Sequence, residues 1–243
     1  MRSLSSVFFV AGLVAFAPTA SAQALRVGIE RAFGFAYASN TASSSTTVGA
    51  TTVTRETNST TTTLNLFGAG FTSASSGAAL VYGPPPPRLA VDYELANHLT
   101  VGAAAYFSWA SYAVEGLTSS VSSTGFGLAP RVGFALALGD RFAFWPRAGL
   151  SFGYASTTPE NPSSGRTTTS SYLTLTLNVE PTLVYMPAAH FGFTAMVFGD
   201  IPLVGNVTTR TVVTTGATTV ETTLESTYKQ VVFGLQFGIM GRF

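Results

Sequence analysis

Large apolar residues take every second position over long stretches of this chain, and small or polar residues fill the positions between them. Residues 229–243 show the pattern best. Val231, Phe233, Leu235, Phe237 and Ile239 share one parity, Gln230, Gly234, Gln236, Gly238, Met240 and Arg242 take the other, and the stretch ends on Phe243. A period of two over this length predicts a β-strand with one face for hydrocarbon and one for a narrow polar interior. The same separation recurs in residues 24–38, 88–95, 99–109, 125–138, 142–154, 173–185 and 191–201. All but 88–95 reach the about 9 to 11 tilted residues that a strand needs to cross a bilayer, and that one must borrow from its flanks.

The connections alternate in length. Short ones lie near residues 96–98, 139–141 and 187–190, and long ones cover 39–87, 111–124, 155–171 and 202–228. Short periplasmic turns and long external loops are the habit of membrane barrels. With both ends of the chain in the periplasm the strand number is even. The expected fold is therefore all-β: a closed antiparallel eight-stranded transmembrane β-barrel with long Ser/Thr-rich extracellular loops. Residues 61–71 also read as a strand, and with a second piece near Ala78 to Tyr82 they give a ten-stranded alternative.

Within residues 39–63, 16 of 25 are Ser or Thr. Val48, Val53, Val207, Val212, Val213, Val220 and Leu224 are spread among the long connections, and threonine itself favours strands. These segments are expected to continue beyond the membrane as projecting ribbons, with Gly49 and Gly216 at hairpin tips.

Composition changes the picture in two ways. Charged residues are 9% of the chain, far below the about 25% of soluble domains, and no later segment approaches a membrane-spanning helix, so the apolar surface must come from strands. The first residues carry an address: Met1-Arg2-Ser3, an apolar run from Val7 to Ala17, and Ala20-Ser21-Ala22 as a cleavage site. Residues 1–22 thus read as a secretory signal peptide and 23–243 as the barrel. The near-balance of charge gives no reason to expect a nucleic-acid partner, and the absence of cysteine removes thiol chemistry.

With these features the chain resembles an OmpX/OmpA-type small outer-membrane β-barrel over residues 24–243. The resemblance implies the outer membrane of a Gram-negative bacterium as location, with outer-membrane lipid and the barrel assembly machinery as partners. It makes Phe233, Leu235, Phe237, Ile239 and Phe243 the sorting strand, although Gly241 stands where that pattern prefers a bulky residue. Members include surface-interaction proteins with projecting sheets, anchors and a few enzymes, so shared fold leaves function open.

Candidate chemistry lies on the inward parity. Arg26, Arg131, Arg147 and Arg242 face Glu30, Asp92, Glu94, Glu180 and Asp200 in a lumen that eight strands make just wide enough to fill with side chains. A plug of salt bridges is expected, with Arg131 and Arg147 near its centre, in preference to an ion path. His98 and His190 fall in periplasmic turns and read as turn residues. Neither a catalytic constellation, a metal-ligand cluster nor a cofactor motif stands out. The function expected is a non-catalytic structural or surface-interaction barrel with an extracellular surface partner. A small pore or transporter is one alternative, and a secreted lipocalin-like barrel with an apolar interior is another. One residue breaks the pattern: Arg31 has lipid-facing parity between Ile29 and Phe33, and is expected at the outer boundary, where its guanidinium snorkels to solvent or phosphate.

Overall fold

The computed structural model describes residues 24–48, 51–66, 69–74, 86–113, 120–161, 166–215 and 218–243. Residues 1–22, the tips Gly49 and Gly216 and the piece 78–82 lie outside them. The chain forms β1 (Ala24–Val48), β2 (Thr51–Leu66), β3 (Ala69–Ala74), β4 (Arg88–Glu94), β5 (Leu99–Ala113), β6 (Ser120–Phe134), β7 (Leu136–Ala137), β8 (Phe142–Asn161), β9 (Arg166–Ala188), β10 (Phe191–Thr215) and β11 (Thr218–Arg242). Strands β1, β4, β5, β6, β8, β9, β10 and β11 pair in that order, and β11 pairs back onto β1. The result is a closed ring of eight antiparallel strands, with β7 a short continuation beside β8.

The alternating sequence explains which way the wall faces. Phe35, Phe107, Trp109, Phe126, Leu128, Phe152, Leu173, Val197, Phe233 and Leu235 all stand exposed on the outside. Such a belt, on strands whose backbone groups are paired around the ring, is what hydrocarbon requires. The bulky apolar residues thus point away from the axis, opposite to the lipocalin arrangement. Ala90, Ala104 and Ala129 line the inside, where space is scarce.

Above the belt the strands do not stop. β1 runs on against β2 from Phe33↔Leu66 to Val48↔Thr51, and β10 against β11 from Asn206↔Thr227 to Thr215↔Thr218. The projecting ribbons expected from the Thr-rich segments are present. Residues 61–71 contribute to the hairpin of β2 and β3, which adds two strands beside β1 and leaves the ring even. β4 borrows nothing from its upper flank, because Pro86 and Pro87 bring no N–H to extend a ladder.

Two irregularities decide which residues face inward. β10 gains one residue between Pro202 and Val204 relative to β9. A single insertion exchanges faces, so Val207 turns inward beside Tyr172 and Tyr228. β1 gains two residues relative to β11, since Ile29 pairs with Ile239 and Phe33 with Phe237. An even insertion preserves parity: Phe35 remains outside, while Glu30, Arg31 and Ala32 all turn inward and are buried. Arg31 accordingly adopts φ 54°. The expected placement at the outer boundary is corrected here. The residue stands at mid-height and points to the axis. A left-handed conformation costs a non-glycine residue about 1–2 kcal/mol, whereas a lipid-facing arginine at the midplane costs about 2–4 kcal/mol, before any ion pair is counted.

The chain leaves the bulge through Gly34, whose φ of 150° only glycine adopts readily. A Cβ there would stand 2.8 Å from the Gln236 Cα. Gly34→Ala is therefore expected to lower stability by about 1–3 kcal/mol, measured as a shifted urea midpoint in detergent. Gly199→Ala, where an added Cβ meets nothing within 4 Å, serves as the control and leaves the midpoint unchanged.

Candidate functional site

The lumen is filled at mid-height by charged side chains delivered by six strands. β1 supplies Glu30 and Arg31, β4 Arg88 and Asp92, β6 Arg131, β8 Arg147, β9 Glu180 and β10 Asp200. Glycines opposite them make the room. A Cβ on Gly133 would lie 2.7 Å from the Arg147 Cγ, and one on Gly149 2.8 Å from the Arg131 Cβ.

The geometry neutralises each of these charges. Arg131 donates to both oxygens of Glu30 at 2.6 and 2.9 Å, and through Nε to Asp92 at 2.9 Å. Arg147 also pairs with Glu30, and reaches Glu180 at 3.2 Å. Arg31 grips Asp200 with two bonds of 2.8 and 2.9 Å and donates to Glu180 at 2.9 Å. Arg88 approaches Glu180 at 3.4 Å and Asp200 at 3.8 Å. Glu180 thus faces four guanidinium groups, since Arg131 also meets it at 3.3 Å. Asn178 adds a 2.5 Å bond to Asp200. Four arginines and four carboxylates form one neutral cluster.

Apolar layers close the cluster on both sides. Below lie Ala135, Trp145, Val184 and Met240; above lie Ala36, Ala38, Phe198 and Val232. Each layer also touches the charges. The Arg31 guanidinium sits 4.0 Å from the Phe198 ring centroid, while Arg26 and Arg147 sit 4.6 and 4.4 Å from that of Trp145. The Trp145 indole donates to the Thr100 hydroxyl at 2.9 Å. A second, smaller group guards the periplasmic mouth, where Arg26 bonds Glu94 at 2.5 Å and the exposed His98 reaches the same carboxylate at 3.2 Å.

Of the residues expected in the lumen, Glu30, Asp92, Arg131, Arg147, Glu180 and Asp200 meet in the central cluster, and Arg26 and Glu94 lie at the mouth. Arg242 departs from the expectation: its half-exposed side chain stands 3.7 Å from Glu94 at the rim. Parity reasoning left out two central members. Arg88 shares its parity with Asp92 and Glu94, so the alternation already contained it. Arg31 was hidden by the double bulge, although an excess of inward acids over arginines was a sign that cations were missing. Phe233, Leu235 and Ile239 stand exposed on the lipid face of β11. Phe237 stacks on Phe33 there, at a centroid separation of 5.3 Å. Phe243 exchanges two 2.9 Å backbone bonds with Leu25, which closes the seam of the ring. His190 donates to the Arg242 carbonyl at 2.8 Å beside it.

Among the described residues no group of His, Asp and Glu is arranged to hold a metal ion, and every central carboxylate already faces arginine. Chemically the cluster can bind strands together and block passage. Removing one partner of a buried ion pair leaves a charge unpaired, so Arg31→Leu is expected to destabilise the barrel by about 3–5 kcal/mol. Denaturant titration of tryptophan fluorescence measures it. The sealed lumen also predicts silence in planar-bilayer recording; a large, steady conductance is the opposite outcome.

No protein-family model and no curated protein sequence matches the chain. Solved structures do. A major outer membrane protein from Thermus thermophilus is 14% identical, with 87% of this chain and 100% of that chain covered at a TM-score of 0.50. The outer membrane protease OmpT from Escherichia coli is 11% identical over 90% of this chain and 97% of that chain, with a TM-score of 0.49. The outer membrane protein OprG from Pseudomonas aeruginosa is 15% identical over 91% and 96%, with a TM-score of 0.40. With its apolar belt turned to lipid and its charges turned to the axis, the chain has the fold of the small outer-membrane β-barrels and is an outer-membrane protein.

Proposed function

We propose that this barrel is a non-catalytic surface-interaction protein whose contacts are made by the Thr-rich ribbons. The observation that carries the reading is the contrast between the two ends of the strands. Inside the membrane the lumen is closed by paired charge, whereas outside it the strands continue as ordered sheet well past the cross-strand aromatic pair Tyr37 and Phe233. Building such ribbons is a large structural commitment if the barrel served only as a membrane plug.

The ribbons are braced across their strands. Cross-strand hydroxyls meet at 3.3 Å between Ser170 and Thr209 and at 3.4 Å between Thr168 and Thr211. Such pairs contribute about 0.2–1 kcal/mol each. On the outer face Arg210 donates two 2.7 Å bonds to Glu221. That fork holds the Glu221 carboxyl below its ordinary range, the hydrogen bond being the larger cause, and adds a side-chain brace across the β10–β11 hairpin. The two histidines stand in the turns at the opposite end of the strands from the ribbons, one bonded to Glu94 and the other to a backbone carbonyl. On the same proposal Phe233, Leu235, Phe237, Ile239 and Phe243 form the strand offered to the assembly machinery.

Trimming the hairpin tests the reading. Val207 and Ser226 are direct cross-strand partners, so replacing residues 208–225 with Asn-Gly shortens the ribbon through a two-residue turn. The shortened protein is expected to fold and reach the outer membrane while cells lose surface adhesion or resistance to serum. Unchanged behaviour in both assays, with the variant correctly displayed, sinks the interaction reading.

A further inference from the structure

Between β1 and β4 the wall divides. In its lower half the two strands pair directly, up to Glu30 against Arg88. Above that level β1 takes β2 as its partner instead, beginning at Phe33 against Leu66. Both edges of the division follow from the sequence. On one side Pro86 and Pro87 precede Arg88 and have no N–H with which to extend β4 upward. On the other, Arg31 and Ala32 pair with neither β4 nor β2 and belong to the two-residue bulge of β1 relative to β11. The division lies at the height of the apolar belt, where an unpaired backbone group has no water to turn to. The rungs just beneath it, Ile29 with Leu89 and Gly28 with Ala90, are the first to part if the division spreads downward.

Glu30 at this level is held by Arg131 and Arg147, and the cations that flank the point are Arg31 on β1 and Arg88 on β4. Both reach across the lumen to the same two carboxylates. Arg31 meets Asp200 at 2.8 Å and Glu180 at 2.9 Å, and Arg88 meets them at 3.8 and 3.4 Å. Those acids stand on adjacent strands, β10 and β9, so they offer one fixed anchor to both edges of the division. Space filling alone does not ask for this sharing, because each arginine could be neutralised by an acid on a neighbouring strand, as Arg26 on β1 is by Glu94 on β4. We propose that Glu180 and Asp200 form a clasp that holds the upper end of the β1–β4 seam shut, and that releasing it lets the seam part downward and opens the lumen sideways.

A reversible crosslink separates this from simple loosening of the lumen. The chain has no cysteine, so Ile29→Cys with Leu89→Cys introduces one disulfide across the seam. Opposed residues of an antiparallel pair lie about 4.5–5.5 Å apart, within disulfide reach, and Ile29 stands exposed on the lipid face. Asp200→Asn is placed in the full-length protein with and without the cysteine pair, and folding is checked by heat-modified gel migration. In planar bilayers the parent protein is expected to stay closed and Asp200→Asn to pass current. The oxidised crosslink should abolish that current, and dithiothreitol should restore it. Current that persists with the crosslink closed runs through the lumen and overturns the proposal, as does silence from a folded Asp200→Asn barrel. If that variant does not fold, Arg88→Met removes one arm of the clasp while Arg31 keeps both carboxylates, and is read in the same way.

Discussion

Charge inside a narrow tube has to be neutralised by other charge, and most of this structure follows from that requirement. Among the described residues, five arginines and five acids are buried in it: Arg26, Arg31, Arg88, Arg131 and Arg147 with Glu30, Asp92, Glu94, Glu180 and Asp200. Each isolated ion would carry a desolvation penalty of several kcal/mol even after relaxation. The wall is shaped around the remedy. Glycines on β6 and β8 recede to admit Arg147 and Arg131, apolar layers cap the cluster, and β1 distorts to bring in one more cation. Because the partners come from strands far apart in sequence, the cluster forms only when the ring is closed. It therefore favours one closed register over a collection of slipped pairings.

Much of the architecture was legible in the alternation because a membrane barrel sorts its side chains by parity alone. Phe35, Leu128 and Phe233 could face only lipid, and Asp92, Arg131 and Glu180 only the axis. The alternating loop lengths then fixed the direction of each strand. Parity fails where the backbone leaves the ladder, and it fails in two ways. The single extra residue of β10 inverts the faces above Pro202, so Val207 meets Tyr172 inside where simple counting would have placed Asn206. The double insertion in β1 leaves no trace in the flanking pattern, because Phe33 and Phe35 keep their side. If only a single bulge is weighed, Arg31 cannot turn inward without dragging the aromatics with it.

The hairpin of β2 and β3 was half legible for a related reason. Thr-rich strands gave it propensity, but its position beside β1 depends on where β4 must end. Pro86 and Pro87 supply that boundary. They are read as a loop signal in isolation, and only the successive pairing of one edge of β1 with β4 and then β2 shows that they mark the level at which one neighbour is exchanged for another. The lumen cluster and this boundary coincide in height, so the least regular part of the wall is also the part most heavily cross-braced.

Trp145 gives the arrangement an optical handle. The chain contains two tryptophans, and the fold assigns them to different surroundings. Trp109 is exposed on the lipid face, whereas Trp145 is buried between two guanidinium groups beneath the central cluster. Cations held against an indole ring perturb its emission differently from hydrocarbon. A bilayer-soluble quencher reaches the first ring and not the second. The protein thus carries separate built-in reporters of membrane insertion and of lumen closure, and the order in which the two signals appear during refolding records whether the barrel enters the bilayer before or after its interior locks.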